Sequence, residues 1–597
     1  MNDVLRIVPQ TRTQDSAAAI GKVASPPRRE ATSEKFYFWA TPDTLVEKSQ
    51  IVYTETTIGG QLLKFYGLIT EVFRQSRQSD LGEEFDRHDG DINYQPPFDS
   101  PGFTFAEVAI LRTDPAVLAP PLEGSNVSLG GEREAYMAYG GDEIENPLAV
   151  GLVKNGGTRL AGSGRIDLDY LLGGNGGHLN VNGVAGRGTK SSFLLHCNYL
   201  LLHEARRQQR ERPGDRNRLR IVPIILNVKN FDLFYIDHLS KRYDPAKHAA
   251  DWKALGIDAP GPFQKVSYYA PQTAGLNVSI DTGRRKADVQ PYSWSLKDII
   301  ERGLLLYLFA EDDRHDANFA ALIHDLDSWL TEERTERDGS RTRQLARVAG
   351  RPPTFDELLK DIRGWTEGGG TPFSSKQHHI GTLRKLYRRL FLILSEGQGV
   401  LRRADQQGKP LNVSERDTCD PKVIDLSSLA AVPSLQRFVA ATIFSQLKEE
   451  RTGSKAQRGL IYLVTLDELN RFAPHDAHDP ITQLIEHVAA EMRSQGIILL
   501  GAQQQASMVS KRVVENAGIR ALGKSGSLEL SHAVWRSLSE SARRKASMLL
   551  PTEKLLMQDS FREPMLVKVP FPPWALREAE AVEETPADND ATEFDDP

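Results

Sequence analysis

Residues 180–192 read NVNGVAGRGTKSS, small residues ending in a lysine and two hydroxyls. Glycines at 183, 186 and 188 let a backbone turn tightly and bring its N–H groups against an anion. A helix starting just beyond them adds the positive end of its dipole. Phosphate binding is the chemistry such a combination serves. The usual phosphate loop is spaced G-x-x-x-x-G-K-[ST]. Here Gly183 and Gly188 keep the glycine spacing, and Thr189 stands where a glycine normally precedes the lysine. The candidate cradle comprises Gly183, Gly186, Arg187, Gly188, Thr189, Lys190, Ser191 and Ser192. Lys190 would place a point charge on the β- and γ-phosphates, and Ser191 would offer its hydroxyl to Mg²⁺. The bland alternative is a glycine-rich turn with no ligand.

A second constellation follows far along the chain. GLIYLVTLDELNRFAP, residues 459–474, is an apolar run broken by Asp467 and Glu468. A continuous apolar run reads as a parallel strand buried on both faces, and ligands bind where such strands end. Asp467 there would hold a divalent metal, and Glu468 would orient or deprotonate an attacking water. Another apolar run, IILLGAQ, ends in Gln503, suited to positioning that water or sensing the γ-phosphate. Arg493 and Arg520 flank it as candidates for stabilising transferred charge, a role that an arginine from a neighbouring subunit can fill. Singly, an acidic strand end also serves as a helix cap, and a lone arginine is more often a surface residue. The ordered set is harder to dismiss.

These groups need a frame. HLNVNG, the glycine loop, KSSFLLHCNYLLLHEARRQ and LRIVPIILNV make a strand–loop–helix–strand unit, which implies a parallel sheet. Strand-like text returns at KVIDLSSL, GLIYLVTLDEL, GIILLGAQQQ and GIRALGKSG. Between them, 231–422 carries apolar residues at helical spacing, as in TLRKLYRRLFLILSEGQGVLRR. The expected fold is α/β, with a RecA-like core over 161–230 and 423–577 and a helical insertion over 231–422. Short strand-like runs over 36–160, separated by Gly-Gly, Asp-Gly and Pro-Pro, predict a small β-barrel. Residues 1–35 read as a flexible N-terminus and 578–597 as an acidic disordered tail.

With 597 residues the chain exceeds one hydrophobic core. Its 74 basic and 80 acidic residues give a net charge of −6, so nucleic-acid binding must come from a local patch. Two candidates are the arginine-rich run over 204–220 and RKLYRRL at 384–390; a solvated face is the commoner meaning of such runs. Two cysteines, Cys197 and Cys419, are too few for a disulfide framework, and no apolar run approaches membrane-spanning length. A soluble, cytoplasmic protein is expected. His378, His379 and the HDAHD run at 475–479 lack further ligands at metal-site spacing.

The set resembles a HerA-type ATPase/helicase of the HerA/FtsK branch of P-loop proteins, over about 36–230 and 423–575. The resemblance is most specific in GVAGRGTKSS, NVKNFDLFYID, LVTLDELNRFAP and GIILLGAQQ. Some members of that family also carry Thr-Lys-Thr/Ser in the loop. The resemblance implies an ATP- and Mg²⁺-dependent homo-hexamer translocating double-stranded DNA. It further implies an effector partner, a nuclease or a sirtuin-like NAD hydrolase, in antiphage defence or DNA-end processing. By the same resemblance Lys190 and Ser191 serve phosphate and Mg²⁺, Asp467 the metal, Glu468 the water and Gln503 the sensor role. The alternative is a nucleotide-binding ring that arrays an effector with little motor activity.

Overall fold

The structure is a computed structural model. It describes residues 18–582 apart from 76–85, 92, 94–101, 175, 185–189, 216–217, 231, 274–284, 286–287, 310–315, 336–340, 347–351, 370, 373–377, 398, 415–418 and 453–458.

Six antiparallel strands close a barrel: β1 (Ala19–Val23), β2 (Lys35–Ala40), β3 (Ile51–Ile58), β4 (Gln61–Gln75), β5 (Phe103–Asp114) and β6 (Asn126–Leu129), in the order 1-2-5-4-3-6. Period-two alternation sends Phe36, Phe38, Val52, Phe65 and Val108 into its interior. The expected boundaries move at both ends. Ala19–Val23, read as flexible, pairs with both β2 and β6 and completes the closure. β7 (Pro147–Asn155), read as barrel, and β8 (Arg159–Asp167), which straddles the expected boundary at 160, belong to a second sheet. Alternation announces a strand but does not name its neighbour.

That second sheet has twelve strands. The remaining ten are β9 (Leu179–Asn182), β10 (Arg220–Asn227), β11 (Ser267–Pro271), β12 (Val289–Tyr292), β15 (Lys422–Asp425), β16 (Leu460–Leu466), β17 (Ile497–Gln503), β18 (Ile519–Leu522), β19 (Glu553–Met557) and β20 (Met565–Lys568); a separate hairpin pairs β13 (Thr331–Thr335) with β14 (Arg341–Leu345). The order is 12-11-15-10-16-17-9-18-19-20-7-8. From β12 to β18 every pairing is parallel, and from β18 to β8 every pairing is antiparallel. The α/β class and the barrel are as expected.

β16 explains why its sequence is apolar throughout. Tyr462, Val464 and Leu466 enter one core layer, and Ile461 and Leu463 enter the layer on the opposite face. Each such fully buried side chain contributes about 1.5–3 kcal/mol. The first layer includes the helices Ala317–Leu330, Phe355–Gly364 and Ile380–Glu396, the last burying Leu383, Leu386, Leu390 and Leu394 on one stripe. The insertion is not wholly helical, because β11 and β12 extend the parallel sheet at its edge. Their sequences, SYYAP and VQPY, are short and contain proline, which hides strands from a pattern search. The start of the expected tail is also structured: Ala581 is buried and bridges Ser240, while 583–597 lies outside the described residues.

Candidate nucleotide site

The strand β9 ends at Asn182, and the helix Ser191–Glu211 begins nine residues later. Gly183 and Val184 are tied down by the carbonyls of Gln503 and Lys524, at 3.3 and 2.8 Å. Gly186, Arg187, Gly188 and Thr189 lie outside the described residues. Lys190 opens the helix, its carbonyl accepting from the Leu194 N–H at 2.9 Å.

β9 and β16 are separated by β17 alone, and all three run parallel. Their carboxyl ends therefore share one edge of the sheet, which brings Lys190 and Ser191 to Asp467 and Glu468. The Ser191 hydroxyl donates to Asp467 Oδ2 at 2.5 Å, while Asp467 Oδ1 accepts from the Glu468 N–H at 2.8 Å. Lys190 Nζ lies 3.6 Å from Glu468 Oε1, an ion contact beyond hydrogen-bond length. That ammonium is buried and has no hydrogen-bond partner among the described residues. Burial lowers its pKa, an effect that Asp467 and Glu468 oppose.

Glu468 has a left-handed backbone, φ 57° and ψ 46°. For a residue with a Cβ this costs about 1–3 kcal/mol, and such outliers cluster at functional sites. Its buried carboxylate accepts from Lys229 Nζ and, at 3.1 Å, from Gln504 Nε2. Burial alone would raise its pKa; the hydrogen bonds from Lys229 and Gln504 and the charges of Lys190 and Lys229 carry it below its ordinary 4.5.

Two members of this cluster escape the sequence reading. Lys229 sits two residues past β10 in NVKNF, with no spacing rule to mark it. Gln504 is the neighbour of the residue expected. Gln503 is fully buried and exchanges two hydrogen bonds with Asn180, at 2.6 and 3.1 Å. Gln503, expected in the sensor role, is thus held by Asn180 away from the cluster, and the glutamine side chain that reaches Glu468 is Gln504, the first residue past β17.

Arg493 and Arg520 do not join the cluster within one chain. Arg493 precedes β17 and Arg520 is the second residue of β18, both toward the amino ends of the parallel strands. Both act electrostatically on Tyr170, whose hydroxyl donates to Asp559 at 2.6 Å.

The cluster lines one end of a cavity of about 690 Å³, within the roughly 300–1,000 Å³ of small-molecule sites. Ser192 lies in its wall beside Ser191. The fit to a magnesium nucleotide rests on donor chemistry. A buried ammonium with no hydrogen-bond partner among the described residues suits a phosphate, and a hydroxyl paired with a carboxylate suits a hard cation. No group of three or more His, Cys, Asp or Glu side chains able to hold a metal by themselves occurs among the described residues. His378 instead pairs with Asp325 at 2.8 Å, and His475 with its neighbour Asp476. In the arginine-rich run, Arg207 is held by Glu204 and Glu211. None of the described helices is long and apolar enough to cross a membrane.

No protein-family model matches the chain, and no curated protein matches it. Solved structures do. The bacterial conjugative coupling protein TrwBΔN70, in its unbound monoclinic form, is 13% identical with a TM-score of 0.41, over 70% of this chain and 91% of that one. VirB4 of Thermoanaerobacter pseudethanolicus is 15% identical with a TM-score of 0.41, over 72% and 97%. The genome-packaging NTPase B204 of Sulfolobus turreted icosahedral virus 2, in complex with ATP-γS, is 13% identical with a TM-score of 0.20, over 26% and 69%.

Proposed function

We propose that this chain hydrolyses ATP and uses the energy to move double-stranded DNA, as a homo-hexamer working with an effector such as a nuclease or a sirtuin-like NAD hydrolase, in antiphage defence or DNA-end processing. The observation that carries the ATPase reading is the convergence of Lys190, Ser191, Asp467 and Glu468 at one end of a single cavity. The DNA, ring and effector parts rest on the family resemblance of the four motifs.

In this reading Lys190 binds the β- and γ-phosphates, and Ser191 and Asp467 would hold Mg²⁺. The bound cation would neutralise phosphate charge as the γ-phosphoryl group leaves. Glu468, ionised through neutral pH, orients a water against the γ-phosphorus and takes its proton. The new P–O bond forms as the bond to the β–γ bridging oxygen breaks. Gln504 fixes the Glu468 carboxylate. Arg493, or else Arg520, acts on the site of a neighbouring copy.

DNA-stimulated phosphate release by the purified chain tests this. The expected result is hydrolysis by the wild type that disappears in Lys190→Ala. A wild-type ring with no hydrolysis, alone or with its effector, would sink the motor. One observation favours a second reading as nucleotide-binding scaffold: Lys229 pairs with Glu468 Oε1, and a carboxylate held by a cation is a weaker base. Unaltered assembly and biological activity in Lys190→Ala would select the scaffold.

A further inference from the structure

The cavity continues past the phosphate end, and what walls it there comes from the last part of the chain. Beyond β20 the segment Val569–Val582 folds back as a strap across residues 238–243. Ser240 N–H donates to Pro573, Ala575 N–H to His238 and Val582 N–H to Leu239, at 2.8–2.9 Å. The buried Trp252 Nε1 donates to the Phe571 carbonyl at 2.9 Å, and Trp574 is buried beneath. The wall is therefore fixed before any ligand arrives.

Its cavity face is flat and largely apolar: Pro570, Phe571 and Pro572. The Phe571 ring stacks on His248 with centroids 4.7 Å apart and planes at 18°. The Arg242 guanidinium stands 5.5 Å from the ring centroid at the cavity rim. The helix Ser191–Glu211 also lines the cavity, through Phe193 and His196. Two buried polar atoms of lining residues have no partner among the described residues, His196 Nδ1 and Trp574 Nε1. His196 Nε2 faces the Val150 carbonyl at 3.0 Å, so Nδ1 is left as an acceptor, while the indole is a donor. Neither atom is accessible from the cavity.

A ligand anchored by its phosphates at Lys190 and Ser191 and extending along this helix presents its remaining atoms to the strap. We propose that the strap Val569–Arg577, with Phe571 at its centre, is the nucleobase-and-ribose wall of the site, so that it sets the preference for a nucleoside triphosphate over bare triphosphate. The proposal rests on the nucleotide reading above. A flat ring against a base needs no particular hydrogen-bond pattern, because every base has a π-face. Arg242, Arg577 and Glu580 at the rim place charges around the polar edges.

Calorimetric titration of the full-length protein with Mg-ATP and, separately, with magnesium tripolyphosphate tests it. Wild type is expected to bind both, ATP more tightly. Phe571→Ala is expected to weaken ATP by roughly 5- to 150-fold, the range of base–aromatic stacking, and to leave tripolyphosphate unchanged. Phe571→Trp restores the flat face and is expected to regain ATP affinity, which separates stacking from misfolding. Unchanged ATP affinity in Phe571→Ala would overturn the wall while leaving the phosphate site standing. So would an equal loss for both ligands, or a change in oligomeric mass alone, which would make the face a subunit contact. A wild type that binds neither ligand would overturn the nucleotide reading and the wall with it.

Discussion

Lys229 offers the sharpest perturbation, because its role follows from geometry alone. Its ammonium bonds the Glu468 carboxylate, whose side chain is 6% exposed against 40% for Lys229. Two unit charges about 4 Å apart attract by about 4 kcal/mol at an effective dielectric of about 20. Solvent around the half-exposed lysine reduces that to about 1 kcal/mol, the upper range for exposed pairs. Lys229→Met keeps the aliphatic stem and removes the charge. The Glu468 pKa then rises, since a cation that lowered it is gone. Hydrolysis requires the ionised carboxylate, so activity is lost as pH falls through that pKa. The acid limb of the kcat–pH profile should move to higher pH in Lys229→Met and return in Lys229→Arg. An acid limb that stays in place while the rate falls equally at every pH would refute this reasoning and confine Lys229 to positioning.

Adjacent glutamines should separate by readout. Gln504→Ala is expected to lower the hydrolysis rate with little change in melting temperature, whereas Gln503→Ala should destabilise by about 1–3 kcal/mol by stranding the buried Asn180 amide; calorimetry and turnover measured on both variants check this. His178 and His196 are buried, and desolvation lowers each pKa from 6.5 to about 4. The unfolded chain therefore binds more protons between those values. The stability from these rings is full above about pH 6.5 and falls as pH drops toward 4, by about 2 kcal/mol per ring at about pH 5. Urea midpoints measured across that window should decline accordingly, and a flat profile would contradict the buried neutral rings.

The chemistry at strand ends was legible where a residue type changed abruptly. Asp467 and Glu468 interrupt a run of seven buried residues, and Lys190 and Ser191 follow glycines, so composition alone marked both. Lys229 was illegible because one lysine after a strand carries no signal until the sheet order puts β10 beside β16. Gln504 was missed by one position because the apolar run stops at Gln503, which looks like the strand's last word. The strap was missed entirely: VPFPPWALR has neither period two nor period 3.6, and its meaning depends on where the chain folds back. The same limit displaced the barrel boundary, since the β7 text gives no sign of which sheet it joins.

The convergence of Lys190, Ser191, Asp467 and Glu468 on one magnesium nucleotide is tested most directly by single-turnover measurement with γ-labelled ATP on wild type and Glu468→Gln. The amide keeps the shape of the site and removes the proton acceptor. Glu468→Gln should retain bound ATP at close to wild-type affinity and leave it uncleaved over the time in which wild type releases labelled phosphate. Cleavage by Glu468→Gln at the wild-type rate would contradict the account.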